Sequence, residues 1–292
     1  MTRALLAVLL LWGLAACSQR EAAAPAGDAK PALWAIEDHR GGAALGWLFG
    51  TIHALPDGAH WSTPTLASAI ENAGVLMVEV RDLDPQRTAA VFTRLAQDEP
   101  GPPLAERLPT AARANLADTL ASKGIAADRF DGLETWAAAL SLSRLAGTSD
   151  IGNGVDKAII ARFAGRPIAE LEGAAGQLAI FDSLPERDQR RLLAAVLAEQ
   201  RDPTTDAKAL AQAWLEGDLA KLERVTRRGL LSDPRLYEAL AAGRNRAWMG
   251  KLVPMLESGR RPLVAVGTAH MLGPHGLPAL LTARGYRVRR IQ

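Results

Sequence analysis

The sequence predicts an α/β (α+β) fold. Its central, mostly parallel sheet is built from the N- and C-terminal portions as two similar halves, with a helical middle region between them. Three observations carry this. Short apolar runs bounded by Gly and Pro, such as Val75–Val80 and Leu263–Val266, cluster near the two ends of the chain. The middle carries apolar residues at helical spacing. Finally, Gly50-Thr51-Ile52-His53 and Gly267-Thr268-Ala269-His270 echo each other, each directly after an apolar run and each followed by Leu, Pro and Gly.

In order, the chain opens with Arg3 and an apolar run, Ala4–Leu14, too short to span a bilayer as a stable helix. Small residues follow, so residues 1–16 read as a secretory signal. Leu14-Ala15-Ala16-Cys17 resembles a bacterial lipobox, which would make Cys17 an acylated first residue; the alternative is an ordinary signal peptide with an incidental Cys. Ser18, rather than Asp, follows. By that resemblance the expectation is an outer membrane lipoprotein facing the periplasm, held in the membrane by the lipid on Cys17. Residues 17–31 are small, polar and Pro-containing, a lipidated tether, and the folded domain is placed at 32–292.

Leu33–Ile36 and Leu45–Ile52 are strand candidates around a Gly41-Gly42 turn. Pro64 opens a helix that Gly74 stops, and Val75–Val80 follows as a strand covered on both faces. Strand, helix, strand in that order implies a right-handed crossover and parallel pairing. Helices are expected over Thr88–Ala96, Thr110–Ser122, Glu134–Leu145 and Val155–Phe163, with a loop at Gly147–Gly154. After a short strand at Arg166–Leu171, helices run over Gln177–Ser183, Arg187–Gln200, Asp206–Glu216, Leu219–Arg227, Pro234–Ala241 and Arg244–Glu257. Strand Pro262–Val266, helix Leu277–Ala283 and strand Tyr286–Ile291 close the chain.

Composition narrows the chemistry. A hydrophobic fraction of 48% in 292 residues is enough for one large domain or two small ones. The net charge of +2 and the lack of a basic patch interleaved with aromatics argue against nucleic acid. Cys17 is the sole cysteine, so no intramolecular disulfide forms and a metal site must use imidazole and oxygen. H-E-x-x-H, G-x-S-x-G, Walker A and dinucleotide glycine motifs are all absent.

One His at a strand end is ordinarily a structural hydrogen-bonding residue. Two in matched contexts, His53 and His270, point to a shared metal site, since neutral imidazole is the commonest ligand and strand ends collect ligands in α/β folds. The preceding Gly lets the backbone turn or approach closely. Glu79, inside Val75–Val80, needs a partner because an unpaired carboxylate there would cost several kcal/mol. Arg81, two residues on and so on the same strand face, would serve; so would a cation held by the two His residues. Asp156 at a helix start reads as a cap, and Glu170, Glu172, Arg244 and Asn245 as surface groups. His60 and His275 lie at unmatched spacings and are peripheral.

Taken in order, these residues resemble the TraB/GumN family, which is related to the Tiki metalloproteases. The resemblance rests on Gly50–His53, Glu79 and Gly267–His270, with Gly154-Val155-Asp156, Leu171-Glu172 and Gln177, Arg244-Asn245, and the closing Gly285-Tyr286-Arg287-Val288. The ordered set, rather than any one motif, carries it. His275 stands where the family has a small or acidic residue. The resemblance implies a Tiki-like fold and a divalent-metal hydrolase of peptides, with Mn²⁺ or Co²⁺ rather than Zn²⁺. On this reading His53, Glu79 and His270 hold the metal, or Glu79 is the general base. Arg244 and Asn245 stabilise an oxyanion, and Asp156, Glu172 and Gln177 support the site or touch the substrate. The rival is a non-catalytic lipoprotein that sequesters a peptide or haem.

Overall fold

The computed structural model describes residues 29–53, 55–56, 58–97, 101–146, 154–201 and 207–292. The signal segment, Cys17, most of the tether and the 147–153 loop lie outside the described residues. A six-stranded sheet forms from β1 (Leu33–Glu37), β2 (Gly46–Thr51), β3 (Val75–Val78), β4 (Ile168–Glu170), β5 (Pro262–Gly267) and β6 (Arg287–Arg290). Its order is β4-β3-β5-β2-β1-β6, and only β1 runs against the rest. The C-terminal β5 is therefore inserted between β2 and β3, which pair with it rather than with each other. That insertion is what joins the two ends of the chain in one sheet.

The helices are α1 (Pro64–Asn72), α2 (Pro85–Leu95), α3 (Thr110–Ser122), α4 (Thr135–Ala146), α5 (Val155–Arg162) and α6 (Gly173–Asp182). They continue with α7 (Glu186–Glu199), α8 (Ala207–Glu216), α9 (Leu219–Thr226), α10 (Pro234–Tyr237), α11 (Gly243–Glu257) and α12 (Leu277–Ala283). Helix α6 begins four residues before the expected Gln177. Gly173, at φ +74°, turns the chain there without a Cβ penalty. A π turn, Glu238–Ala242, joins α10 to α11, where the sequence had suggested a break.

Strand alternation sorts the core. Leu33, Ala35, Trp47, Phe49, Leu76, Val78, Leu263 and Ala265 face α1, α5 and α8. Trp34, Ile36, Leu48, Met77, Val264 and Val266 face α11 and α12. A separate core of α2–α4, α6, α7 and α10 packs around Trp136 and Leu193. The period-two rule then fixes two chemical groups. Thr51 continues the face of Trp47 and Phe49, toward α5. Glu79 continues the face of Met77, toward α11. Strand β6 is an edge blunted by Arg287, Arg289 and Arg290. No helix among the described residues is long and apolar enough to cross a membrane.

Candidate functional site

The site lies at the C-terminal ends of β2, β3 and β5. Because β2 and β5 pair in parallel, with Thr51 opposite Gly267, the echoed motifs end side by side. Gly50 permits this: a Cβ there would stand 2.9 Å from Thr268 Oγ1, and that hydroxyl donates to the Thr51 carbonyl at 2.8 Å.

Glu79, one residue beyond β3, is buried and fully engaged. Its Oε1 accepts from the Gly267 N–H at 2.9 Å, and Oε2 from Gln177 Nε2 at 2.9 Å and Arg244 Nη2 at 2.5 Å. The partner is thus an arginine, but not Arg81. The strand ends before residue 81, whose N–H turns to Glu170 at 2.6 Å. Burial acts to raise the Glu79 pKa; His270, Arg244 and the Gly267 N–H outweigh it and hold the carboxyl below its ordinary range.

Arg244, in the first turn of α11, spends every N–H of its guanidinium. Nε donates to Glu172 Oε1 at 2.8 Å, and Nη2 bridges Glu172 Oε2 at 2.6 Å and Glu79. Nη1 donates to the Leu240 carbonyl at 3.1 Å and to His270 Nε2 at 3.2 Å. Burial disfavours its charge, yet the bonds to Glu172 and Glu79 leave its pKa raised. Arg244 therefore has no donor left for an oxyanion.

The same holds for Asn245. Its Nδ2 donates to the carbonyls of His270 at 3.2 Å and His275 at 2.7 Å, so its Oδ1 faces His270 Nδ1 at 2.7 Å. Both amide N–H groups being spent, Asn245 is an orienting residue rather than the oxyanion donor expected. It fixes the His270 tautomer, with the proton on Nδ1 and an unprotonated Nε2 that accepts from Arg244 and stands 4.0 Å from Glu79 Oε1. His270 is buried, and burial lowers its pKa to about 4.

His53 sits differently. Its side chain is 77% exposed, and Nδ1 meets Asp156 Oδ2 at 3.1 Å. Asp156 is the second residue of α5, whose cap is Gly154, so it does not cap the helix. Its Oδ1 accepts from Thr51 Oγ1 at 2.6 Å. The bond to Asp156 holds the His53 pKa above 6.5. Glu79 and Arg244 also bear on it, which places His53 at the rim of the same cluster.

Sequence reasoning missed Trp248. Its ring packs against His270 at a 45° tilt with centroids 4.4 Å apart, and its Nε1 donates to Glu172 at 2.9 Å. Its place four residues after Arg244 on one helix was the available signal. His60 and His275 are exposed; the His275 ring lies 6.0 Å from Tyr237 and only its carbonyl touches the site. Among the described residues, no three His, Cys, Asp or Glu side chains are grouped closely enough to hold an ion together.

The profile of the TraB/PrgY/gumN family matches residues 32–290, nearly the whole described chain. The chain belongs to the TraB/PrgY/gumN family. Two curated relatives of this TraB-family chain are the uncharacterized protein YbaP of Escherichia coli K12 and that of Shigella flexneri. Each is 29% identical over 244 residues, covering 80% of this chain and 86% of the relative. No solved structure matches it. Family membership agrees with the order of motifs, from the first G-T-x-H to the closing strand.

Proposed function

We propose that this TraB-family chain is a divalent-metal-dependent hydrolase of peptide bonds, acting in the cell envelope and anchored there through Cys17. The supporting observation is the shared treatment of the two motif imidazoles. Each has Nδ1 tied to a side chain from another element, Asp156 or Asn245, which presents Nε2. Metal-site histidines are oriented in this way. Arg244 Nη1 donates to His270 Nε2 at 3.2 Å, and that nitrogen stands 4.0 Å from Oε1 of the ionised Glu79, so an ion would have to displace the arginine contact and draw the two groups closer to be held by both. Imidazole and carboxylate without thiolate favour Mn²⁺ or Co²⁺ over Zn²⁺.

His270 and Glu79 would hold the ion; when bound, it would supply Lewis-acid polarisation of a substrate carbonyl. The low pKa of Glu79 makes it a better ligand than base. His53, expected from sequence as a ligand, suits proton transfer instead. It is exposed, backed by Asp156, and titrates above 6.5. Its Nε2 takes a proton from the attacking water and returns it to the leaving amine. Arg244, Glu172, Gln177 and Asn245 hold the first ligands in place.

Metal analysis of untagged protein, with cleavage of a peptide library in Mn²⁺, tests this. His270→Ala should lose the ion. His53→Ala and Asp156→Asn should keep it while turnover falls by roughly 10²–10⁴. A second reading has its own observation: Arg244 already donates to His270 Nε2, with no three-ligand group around it. In that reading Arg244 is the resident cation and the chain binds a peptide or haem without cleaving it. Protein free of metal, with no cleavage above that of His53→Ala, would decide for that second reading.

A further inference from the structure

The helix that carries Arg244, Asn245 and Trp248 is not a uniform α-helix. Pro234–Glu257 is continuous, but Glu238–Ala242 forms a π turn directly before the site residues. Such turns cost hydrogen-bond geometry and recur at functional sites.

Burial is continuous through the turn, so what sets it apart is its backbone. Leu236 and Leu240 face the helical core, Ala241 and Ala242 are buried within the turn, and Asn245, Trp248, Met249, Leu252 and Leu256 are buried further along. The Leu240 carbonyl within that turn also accepts from Arg244 Nη1.

Two side-chain features fit the same geometry. The Gly243 N–H bonds to the Glu238 carbonyl, five residues back, and a Cβ on Gly243 would stand 2.8 Å from that oxygen. On the solvent side Arg246 Nη2 pairs with Glu238 Oε1. An unbroken helix would bring residue 245, not 246, over residue 238.

We propose that the π turn and the glycine closing it are the positioning element of the site: Gly243 is required so that Arg244 reaches Glu79, Glu172 and His270 together. The inference concerns how the cluster is held, and it stands whether or not the cation binds.

The sign of one substitution tests it. Gly→Ala inside a helix ordinarily stabilises. Here Gly243→Ala should lower the urea midpoint. Arg244→Met should lower the midpoint in the parent protein, and by a smaller amount in the Gly243→Ala background, where the guanidinium is already misplaced. The Arg244 Nε–H signal, assigned by its loss in Arg244→Met, should exchange with solvent about tenfold faster in Gly243→Ala. An Arg244→Met shift undiminished by Gly243→Ala, with unchanged exchange, overturns the proposal. Should Gly243→Ala not fold, the exposed Arg246→Ala decides. Faster Arg244 Nε–H exchange there supports the proposal, and parental exchange overturns it.

Discussion

The two G-T-x-H motifs share a sequence pattern and end adjacent strands, yet their histidines live in opposite environments. His270 is buried against Trp248, held by a neutral amide, and its pKa is lowered to about 4. His53 is exposed, held by a carboxylate, and its pKa is raised. The difference comes from the partner elements. Helix α11 covers the end of β5 and brings Asn245; α5 reaches the end of β2 with Asp156 and leaves the ring in water. A motif places an imidazole, and its neighbours decide whether it accepts a lone cation, an arginine N–H or a proton.

The largest expected contrast is in stability. Arg244→Met leaves Glu79 and Glu172 facing each other, buried and without their shared cation. Breaking a buried pair in this way costs about 3–5 kcal/mol. On the first motif, His53→Ala removes a rim side chain and should change stability by no more than about 0.5 kcal/mol. Urea unfolding of the two variants measures the ratio. Equal effects would mean that the second motif is not the structural one.

The metal-free protein should show opposite pH linkage at the two rings. The folded state lowers the His270 pKa from 6.5 to about 4, so within that window the unfolded chain binds more protons. This contribution is fully present above 6.5 and is lost as pH falls toward 4, up to about 3 kcal/mol. The folded state raises the His53 pKa, so its contribution is present below 6.5 and is lost as pH rises through the raised value. Stability measured from pH 4 to 8 in His270→Asn should lose the acid-side slope, and in His53→Asn the weaker opposing one.

How much of this was legible in the sequence follows from the range of each interaction. The strands, most helix bounds and the parallel sheet of mixed termini follow from periodicity and from Gly and Pro, which act locally. The convergence of Glu79 with His270 was legible because two matched strand ends imply one sheet edge. The roles of Arg244 and Asn245 were not: they depend on which of several acceptors lie within hydrogen-bond reach, 165 residues away in the case of Glu79. Trp248 went unnoticed because an indole at helical spacing reads the same whether or not its N–H finds Glu172. The π turn escaped because one surplus residue in a helix leaves no compositional mark. Gly243 was its single trace.

The smallest predicted contrast concerns the glycines that open the motifs, which look equivalent in sequence. A Cβ on Gly50 would meet Thr268 Oγ1 at 2.9 Å and Thr268 Cα at 3.3 Å. That hydroxyl is committed to the Thr51 carbonyl and sits on the neighbouring strand's own motif, so it cannot swing away without breaking the bond. Gly50→Ala should therefore cost about 1–3 kcal/mol, as overpacking does. A Cβ on Gly267 would find Glu79 Oε1 at 3.4 Å and His270 Cδ2 at 3.9 Å, ordinary contacts, and its φ of −48° suits any residue. Gly267→Ala should cost less than about 1 kcal/mol. It would, however, put a methyl group against the carboxylate oxygen assigned to the ion. Gly267→Ala should then weaken cation binding while Gly50→Ala spares it, the reverse of their order in stability. Titration of each variant with Co²⁺ alongside urea unfolding checks both orders at once, and matching orders would show that Glu79 Oε1 is not where the ion sits.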